Sequence, residues 1–274
     1  MSFRTIAGLD ETLQNNFADI LDAIQRDNWD WLHLNSGIER GGKSSFALFQ
    51  AKLASENGLK FDWSPKLNHV FFYEKNLAKQ MMNLPDRSVA IIDEGGEVLF
   101  SRRAIEKEVI EIIQTLMIYG SKNILLIINI PDWRWIDKYI RLARVRSLAK
   151  IRTYPYMKKG RMKRARGFYE MYTRAQVINA SRGLGSHSEG YLGSPSFGGR
   201  AKFFGSYYEK EWDWYSKKKT EFLKKKKEKQ AQKKRKQDFL AFKKLPKVAE
   251  LPDDFAGVDD LQPIKVDKLD TINI

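Results

Sequence analysis

Gly37-Ile38-Glu39-Arg40-Gly41-Gly42-Lys43-Ser44 follows the pattern G-x-x-x-x-G-K-S. This pattern is a Walker A phosphate loop when a strand precedes it and a helix follows it. Residues 31–35 have the composition of a strand, and residues 45–54 have that of a helix closed by Asn57-Gly58. The context therefore favours a nucleotide-binding loop over an ordinary glycine-rich turn.

In such a loop the backbone N–H groups surround phosphates, and the helix N-terminus adds partial positive charge. Lys43 would reach the β- and γ-phosphates, and the Ser44 hydroxyl would ligate Mg²⁺. The predicted cofactors are thus ATP and Mg²⁺. The predicted nucleotide-binding residues are Gly37, Ile38, Glu39, Arg40, Gly41, Gly42, Lys43, Ser44 and Ser45.

Composition excludes several other kinds of protein. The 274 residues include no cysteine, which excludes disulfides, thiolate zinc sites and cysteine nucleophiles. The longest apolar runs, such as residues 124–128, are too short to span a bilayer. Residues 1–4 lack the apolar core of a signal peptide. We expect a soluble, cytoplasmic protein, in the host cytoplasm if the chain is viral.

The composition and hydrophobic periodicity of the sequence change along the chain. Residues 1–153 alternate apolar runs with helical periodicity, as in an α/β domain with a mostly parallel sheet. We predict a β-hairpin and loop subdomain at 154–206, a lysine-rich helix at 207–244 and a disordered acidic tail at 245–274. The predicted strands share a β-favouring composition: Trp31–Leu34, His69–Tyr73, Val89–Ile92, Ile124–Ile130 and a short one near residues 151–154.

A second motif, which is acidic, supplies the other residues that a hydrolytic site needs. The apolar run Val89–Ile92 ends in Asp93-Glu94. We predict that Asp93 holds Mg²⁺ through a water and that Glu94 polarises the attacking water, since an ATPase needs both functions. An acidic strand end with no catalytic role is the alternative.

The order of these motifs resembles a division of P-loop proteins. A strand at residues 69–73 lies between the Walker A helix and the strand that ends in Asp93-Glu94. This resembles the additional-strand, catalytic-glutamate division, which includes RecA-like and AAA+ proteins. The resemblance implies a RecA-like P-loop NTPase core, and it disfavours kinases and GTPases, which typically lack the glutamate.

Residues 25–153 are similar to FtsK/HerA-type and Zot-like ATPases of viruses and mobile elements. The similarity rests on the glycine-rich loop, on Asp93-Glu94-Gly95-Gly96, on Phe100-Ser101-Arg102-Arg103, on Ile130-Pro131 and on a helix at 137–141. FtsK-like members often have Ala after Asp-Glu, whereas this chain has Gly95-Gly96. The resemblance implies a DNA translocase or packaging motor that acts as a homo-oligomer, as a hexameric ring. Zot-type proteins usually carry a membrane helix, whereas the apolar runs of this sequence predict no membrane-inserted segment.

Two further roles follow from that resemblance. A polar residue at the tip of the strand after Walker B senses the γ-phosphate, and Asn129 is the candidate, with a turn-forming role before Pro131 as the alternative. An arginine reaches into a neighbouring subunit's site, and such a finger contributes about 10³–10⁵-fold to rate. The candidates are Arg141, Arg144 and Arg146, with Arg102 and Arg103 behind them.

Positive charge is concentrated in two segments of a chain whose net charge is +15. Residues 141–174 contain twelve Lys or Arg and one acid, and residues 217–236 contain twelve and two acids. Cations mixed with glycine and aromatics at 157–169 predict sequence-independent binding to nucleic acid, most naturally duplex DNA. The predicted contacts are Lys158, Lys159, Arg161, Lys163, Arg164 and Arg166. The run at 217–236 is either a solvated helix or a second contact.

Two other functions fit the same motifs. The chain could be an assembly or secretion ATPase that acts on virion proteins, as in Zot-like morphogenesis. It could also be a DNA-binding structural protein that uses the nucleotide as a switch. DNA-stimulated hydrolysis would separate these alternatives from a translocase.

Overall fold

A seven-stranded sheet is the centre of the fold in a computed structural model that describes residues 3–72, 77–95, 107–183 and 190–243. The strands lie in the order β2-β3-β4-β1-β5-β6-β7. They span Trp31–Gly37 (β1), Val70–Phe71 (β2), Val89–Ile92 (β3), Leu125–Ile130 (β4), Val145–Lys158 (β5), Arg161–Thr173 (β6) and Phe197–Arg200 (β7). The pairs β2-β3, β3-β4, β4-β1 and β1-β5 are parallel, and the pairs β5-β6 and β6-β7 are antiparallel.

Helices cover both faces of this sheet. They span Glu11–Gln25 (α1), Lys43–Glu56 (α2), Leu77–Met82 (α3), Lys107–Ile118 (α4), Arg174–Arg182 (α5) and Glu209–Lys243 (α6). Short 3₁₀ turns lie at Tyr119–Lys122, Trp133–Trp135 and Phe204–Ser206, and a π-helical turn lies at Ile140–Arg144. The chain divides into two compact units, Met1–Phe222 and Leu223–Ile274.

The strand sequences explain the two cores. Central strands are apolar on both faces, as a parallel sheet between helices requires. On β4, Leu125 and Ile127 pack with α1, α2 and the start of α6, whereas Leu126 and Ile128 pack with α3, α4 and α5. The predicted α/β fold with a mostly parallel sheet is therefore confirmed.

Strand β4 lies between β1 and β3, in parallel with both. One strand thus separates the strand of the Walker A loop from the strand that ends in Asp93. This is the sheet order that defines the additional-strand division of P-loop folds. The carboxyl ends of β1, β3 and β4 meet at one edge, where ligands of open α/β sheets bind.

Most element bounds match the sequence, with some corrections. Strand β3 has the predicted bounds, β1 extends to Gly37, and β2 keeps only two of the five predicted residues. The short strand expected near residues 151–154 is part of a fourteen-residue β5, so the boundary at 153 falls inside a strand. Helix α1 was not anticipated.

Some expectations concern residues outside the described ranges. These include Tyr73, Gly96, the 100–103 motif with Arg102 and Arg103, residues 184–189 of the predicted hairpin and loop subdomain, and the acidic tail. The fourfold division into domains stays a prediction.

Candidate functional site: the nucleotide loop and its acidic neighbours

The Walker A residues form a tight turn between β1 and α2. Gly42 is the N-cap of α2 with φ of 112°, a backbone conformation that favours glycine. Arg40 also has a positive φ, 57°. The Lys43 ammonium donates to the carbonyls of Gly37 (2.6 Å) and Ile38 (2.8 Å), so it lies over the loop. Burial lowers the pKa of Lys43, against the opposing effect of the nearby carboxylates.

The last residue of the motif reaches the acidic strand end. Ser44 Oγ lies 3.1 Å from Asp93 Oδ2 and 3.4 Å from Oδ1. Asp93 is 2% exposed and directly follows β3. The two predicted metal-binding residues, 49 positions apart in sequence, are therefore in contact. The Ser45 hydroxyl instead accepts the backbone N–H of Phe204 over 2.8 Å.

Oxygen chemistry makes this pair suitable for Mg²⁺. Mg²⁺ is usually held by one or two protein oxygens together with water and substrate phosphates. Ser44 and Asp93 supply such a pair, and a cation, the Lys219 ammonium, already lies against both. Among the described residues there is no group of three or more His, Cys, Asp or Glu that could hold a metal by itself.

Glu94 lies next to this pair in a strained conformation. Its φ is 59°, and its backbone N–H donates to Asp93 Oδ1 over 3.2 Å. Its side chain is 40% exposed, which leaves a carboxylate open to solvent beside a buried one. Left-handed backbone at a non-glycine residue costs about 1–3 kcal/mol and is concentrated at functional sites.

Close packing explains the glycine after Glu94. A Cβ at Gly95 would lie 2.4 Å from Ile128 Cγ2 and 3.3 Å from the Asn129 carbonyl oxygen. The Asp-Glu turn therefore rests directly on β4. Glycine suits position 95 because a larger side chain would meet Ile128.

Asn129 connects Asp93 to a buried polar network. Its Nδ2 donates to Asp93 Oδ1 over 3.0 Å, and its Oδ1 accepts from Asn35 Nδ2 over 3.0 Å. Asn35 also donates to Gln50 Oε1 and contacts His33 Nε2, at 3.0 Å each. His33 Nδ1 lies 2.7 Å from Ser147 Oγ. The predicted sensor residue is therefore in contact with Asp93.

Burial determines the charge of the far end of this network. His33 is fully buried, and burial lowers its pKa to about 4, although the hydrogen bond to Asn35 opposes the shift. The imidazole is therefore neutral near pH 7. The hydrogen-bonded side chains between Ser147 on β5 and Asp93 are therefore all uncharged, and the carboxylate at the end of the network is charged.

Two residues of α6 complete the surroundings of Asp93. The Tyr215 hydroxyl donates to Asp93 Oδ2, and the Lys219 ammonium lies 2.9 Å from the same oxygen. Burial would raise the pKa of Asp93, but the charge of Lys219 and these hydrogen bonds outweigh it and lower the pKa. Burial and Asp93 raise the pKa of Tyr215 well above its usual value, which keeps the hydroxyl a donor.

No sequence motif points to Tyr215 or Lys219. The lysines of 217–236 were predicted to lie in solvent or on nucleic acid, whereas Lys219 faces the site. Lys218 donates to the carbonyls of Lys66 (2.9 Å) and Leu67 (2.6 Å). The i, i+4 spacing of Tyr215 and Lys219 within an aromatic-rich helix start was the one available signal. Trp212 and Trp214 of the same helix start are partly buried and pack on the core.

Two of the three arginine candidates, Arg144 and Arg146, lie at the opposite edge of the sheet from the phosphate loop. Val145 pairs with Leu32 near the start of β1, whereas the phosphate loop follows Gly37, about 17 Å away at about 3.3 Å per residue. Arg144 pairs with Asp30, and Arg146 lies over the Trp29 ring at 4.6 Å. Arg141 is 8% exposed, and its Nε and Nη1 atoms have no hydrogen-bond partner. Neither Arg144 nor Arg146 is near the phosphate loop of the same chain.

The predicted nucleic-acid contacts lie on the β5–β6 hairpin. Its turn, Lys159-Gly160, has positive φ at both residues, as two-residue type I′ turns require. Lys158 pairs with Arg161 and Tyr156 with Lys163, so these four side chains share one face. The six predicted contacts are all exposed: Lys158, Lys159, Arg161, Lys163, Arg164 and Arg166.

The other face of the hairpin differs in character. Met157 pairs with Met162, and they are 65% and 74% exposed. Pro155 and Arg164 form the next pair on that face. One hairpin thus presents cations with an aromatic ring on one side and an apolar pair on the other.

The fold and loop define the class of protein. A parallel sheet in this order, with a G-x-x-x-x-G-K-S turn after β1 and Asp-Glu after β3, is a P-loop NTPase fold. No protein-family model matches the chain, and no curated protein matches it. Among the described residues, no helix is long and apolar enough to cross a membrane.

Several solved structures are similar to this one. The N-terminal domain of zonular occludens toxin from Neisseria meningitidis is 18% identical over 66% of this chain and 98% of that chain, with a TM-score of 0.40. The genome packaging NTPase B204 from Sulfolobus turreted icosahedral virus 2, in complex with ATP-gammaS, is 12% identical over 56% and 94%, with a TM-score of 0.38. The FIGL-1 AAA domain is 18% identical over 54% of each chain, with a TM-score of 0.36.

The descriptions of these neighbours include a zonular occludens toxin domain and a viral genome packaging NTPase, the two kinds of protein that the sequence motifs resemble. At such identities and TM-scores the likeness concerns the general fold, and it assigns no role to any residue. The roles of residues in this chain therefore rest on its own geometry.

Proposed function

We propose that the chain is an ATPase that couples hydrolysis to the movement or remodelling of DNA. The observation that carries the proposal is the meeting of Ser44, Asp93 and Asn129 within hydrogen-bond distance, with Glu94 beside them. A phosphate loop, a buried carboxylate, an open carboxylate and a polar strand tip are the parts that phosphoryl transfer to water requires.

The chain's own residues would divide the work as follows. Backbone N–H groups of the loop and the Lys43 ammonium would bind the phosphates. Ser44 and Asp93 would hold Mg²⁺, which neutralises charge on the phosphate oxygens when bound. Glu94, with its exposed carboxylate, would orient the attacking water and accept its proton. Asn129 would fix Asp93 and contact the terminal phosphate.

The basic face of the hairpin would bind DNA. About seven residues of β5 beyond Ile151 are mostly exposed, an extension of about 20 Å at about 3.3 Å per residue. Lys158, Arg161 and Lys163 can neutralise phosphates without regard to sequence, and Tyr156 lies among them. We further propose that the chain acts as an oligomeric ring, in which the Arg141–Arg146 segment faces a neighbouring site.

The test of this proposal is the ATPase rate with and without duplex DNA at several salt concentrations. We expect stimulation that disappears as salt rises. The double variant Lys158→Gln, Arg161→Gln should reduce the slope of log affinity against log salt by about 2 units. Lys79→Gln, an exposed lysine on α3, is the matched control and should not change it. An ATPase rate that changes neither with DNA nor with salt would refute the DNA-coupled function.

A protein substrate is the second candidate, and the exposed Met157–Met162 pair favours it. Adaptable methionine surfaces are typical of protein-binding sites. An assembly or secretion ATPase would lose its stimulation in Met157→Gln, Met162→Gln and keep it in the lysine and arginine variant. Retained ATP affinity without any turnover would instead indicate a nucleotide-switched DNA-binding protein.

A further inference from the structure

The Lys219 ammonium lies among the oxygens assigned to magnesium. It is 2.9 Å from Asp93 Oδ2, 3.1 Å from Glu94 Oε1 and 3.5 Å from Ser44 Oγ. These groups come from the phosphate loop and the end of β3, whereas Lys219 comes from α6, 126 positions beyond Asp93. A side chain of the protein thus occupies the cation position of its own site.

Neighbouring contacts hold Lys219 in this position. Tyr215, one helical turn earlier, is 2% exposed and donates to the same oxygen of Asp93. Its ring packs against Phe72 and Trp212. Lys218 bonds the carbonyl groups of Lys66 and Leu67. The contact is therefore part of the packing of α6 on the core, unlike a surface ion pair between flexible side chains.

Asp93 has no capacity left for a further donor. It accepts from the Ser44 hydroxyl, the Glu94 backbone, Asn129, Tyr215 and Lys219. A carboxylate offers about four lone-pair sites, so five donors saturate it. Mg²⁺, or a water bound to it, can reach Asp93 only if a present donor leaves. Like-charge repulsion makes Lys219 the donor that leaves when a second cation arrives.

We propose that Lys219 and Mg²⁺ are alternative occupants of this site, so that binding of Mg²⁺ with nucleotide expels Lys219 and loosens the start of α6. The proposal rests on the proposed ATPase function, since it uses the same metal position. Because coupling between two binding events is reciprocal, a seated α6 weakens Mg²⁺–nucleotide binding by the same factor by which the bound nucleotide weakens α6. Helix α6 would thereby lower the affinity of the nucleotide site in the same chain.

The test compares nucleotide affinity in the full chain with and without Mg²⁺, using a fluorescent ATP analogue. Lys219→Met keeps the length and apolar stem of the side chain but removes the competing charge. We expect it to bind the analogue roughly 5- to 150-fold more tightly in Mg²⁺, the range of typical coupling energies, with little change in EDTA. Lys217→Met, an exposed position on the same helix, is the matched control and should match the wild type.

The opposite sign would overturn the proposal. Weaker Mg²⁺-dependent binding by Lys219→Met would show that Lys219 stays in place and helps to hold the phosphates, and unchanged binding would show that it does not compete. A second readout needs no variant: in the wild type, amide hydrogen exchange over residues 209–222 should rise when Mg²⁺ and a non-hydrolysable ATP analogue bind. Increased protection there would also contradict competition.

Failure of this inference is distinguishable from failure of the proposed function. If the wild type and Lys43→Ala bind the analogue equally poorly, the nucleotide site itself is wrong. If binding depends on Lys43 but Lys219→Met does not strengthen it, only the competition between Lys219 and Mg²⁺ is wrong.

Discussion

Asn129 Nδ2 at the tip of β4 donates to Asp93 Oδ1 at the end of β3 over 3.0 Å. The two strands are hydrogen-bonded in parallel, with Ile92 opposite Ile128, so the sheet sets this distance. The contact gives the predicted sensor a second task, because it fixes the carboxylate that would hold the metal. Residues that orient a metal ligand in this way are worth about 10–100-fold in metal affinity or activity.

Removal of this amide should therefore damage catalysis more than nucleotide binding. We expect Asn129→Ala to lower kcat by about 10–100-fold, because Asp93 loses a fixed donor, while affinity for ATP in EDTA changes little. Steady-state kinetics and analogue binding measure the two effects. Gln50→Leu, at the far side of Asn35, is the control for general damage to the network. Equal loss of binding and turnover in Asn129→Ala would contradict the role.

The glycine after Glu94 should be sensitive to a single methyl group. Gly95→Ala places a Cβ 2.4 Å from Ile128 Cγ2 in a packed core, and we expect a loss of about 1–3 kcal/mol in the free energy of unfolding. Urea denaturation measures this loss. Gly160→Ala, at the open tip of the hairpin where a Cβ meets nothing within 4 Å but φ is 70°, reports the cost of backbone conformation alone. A smaller loss at Gly95 than at Gly160 would argue against the close contact.

Acid should destabilise the fold through His33. Its pKa is about 4 in the folded chain against an ordinary 6.5, so the unfolded chain takes up a proton that the folded chain refuses. The stabilisation from neutral, buried His33 is complete above pH 6.5 and is lost as pH falls through 4. At about 1.4 kcal/mol per pKa unit this amounts to about 3 kcal/mol.

The variant His33→Gln isolates this contribution, because its amide can still bond Asn35 and does not titrate. The measurement is the free energy of unfolding of the wild type and of the variant from pH 7 to pH 4. As pH falls over this range, the stability of the variant relative to the wild type should increase by about 3 kcal/mol. A difference that stays constant over this range would show that His33 does not titrate in the folded protein as proposed.

The parts of this structure that sequence could predict are those set by local pattern. The bounds of β3 and the strand–loop–helix order around Gly42 follow from apolar runs and a motif with fixed geometry. The motifs also assigned Ser44 and Asp93 to one Mg²⁺ ion, because an ATPase needs a carboxylate on the metal. Polar residues inside β1, such as His33 and Asn35, gave no sign of their partners on α2 and β5.

Contacts between distant segments were not predictable in the same way. The one local difference between Lys219 and Lys217 is that Lys219 lies four residues after Tyr215, yet Lys219 faces Asp93 and Lys217 faces solvent. Their difference depends on how α6 packs, and this packing involves Tyr215, which lies 122 positions beyond Asp93. The length of β5 was also missed, because the exposed hairpin residues lack the apolar alternation of a half-buried strand.

The most direct test of the hydrolytic site is phosphate release from ATP by the wild type and by Glu94→Gln at saturating Mg²⁺ and ATP. We expect measurable turnover in the wild type and, in the variant, a rate lower by about 10²–10⁴-fold, the usual contribution of a general base, with analogue binding retained. Full turnover by Glu94→Gln would contradict the assignment of this carboxylate and, with it, the site proposed here.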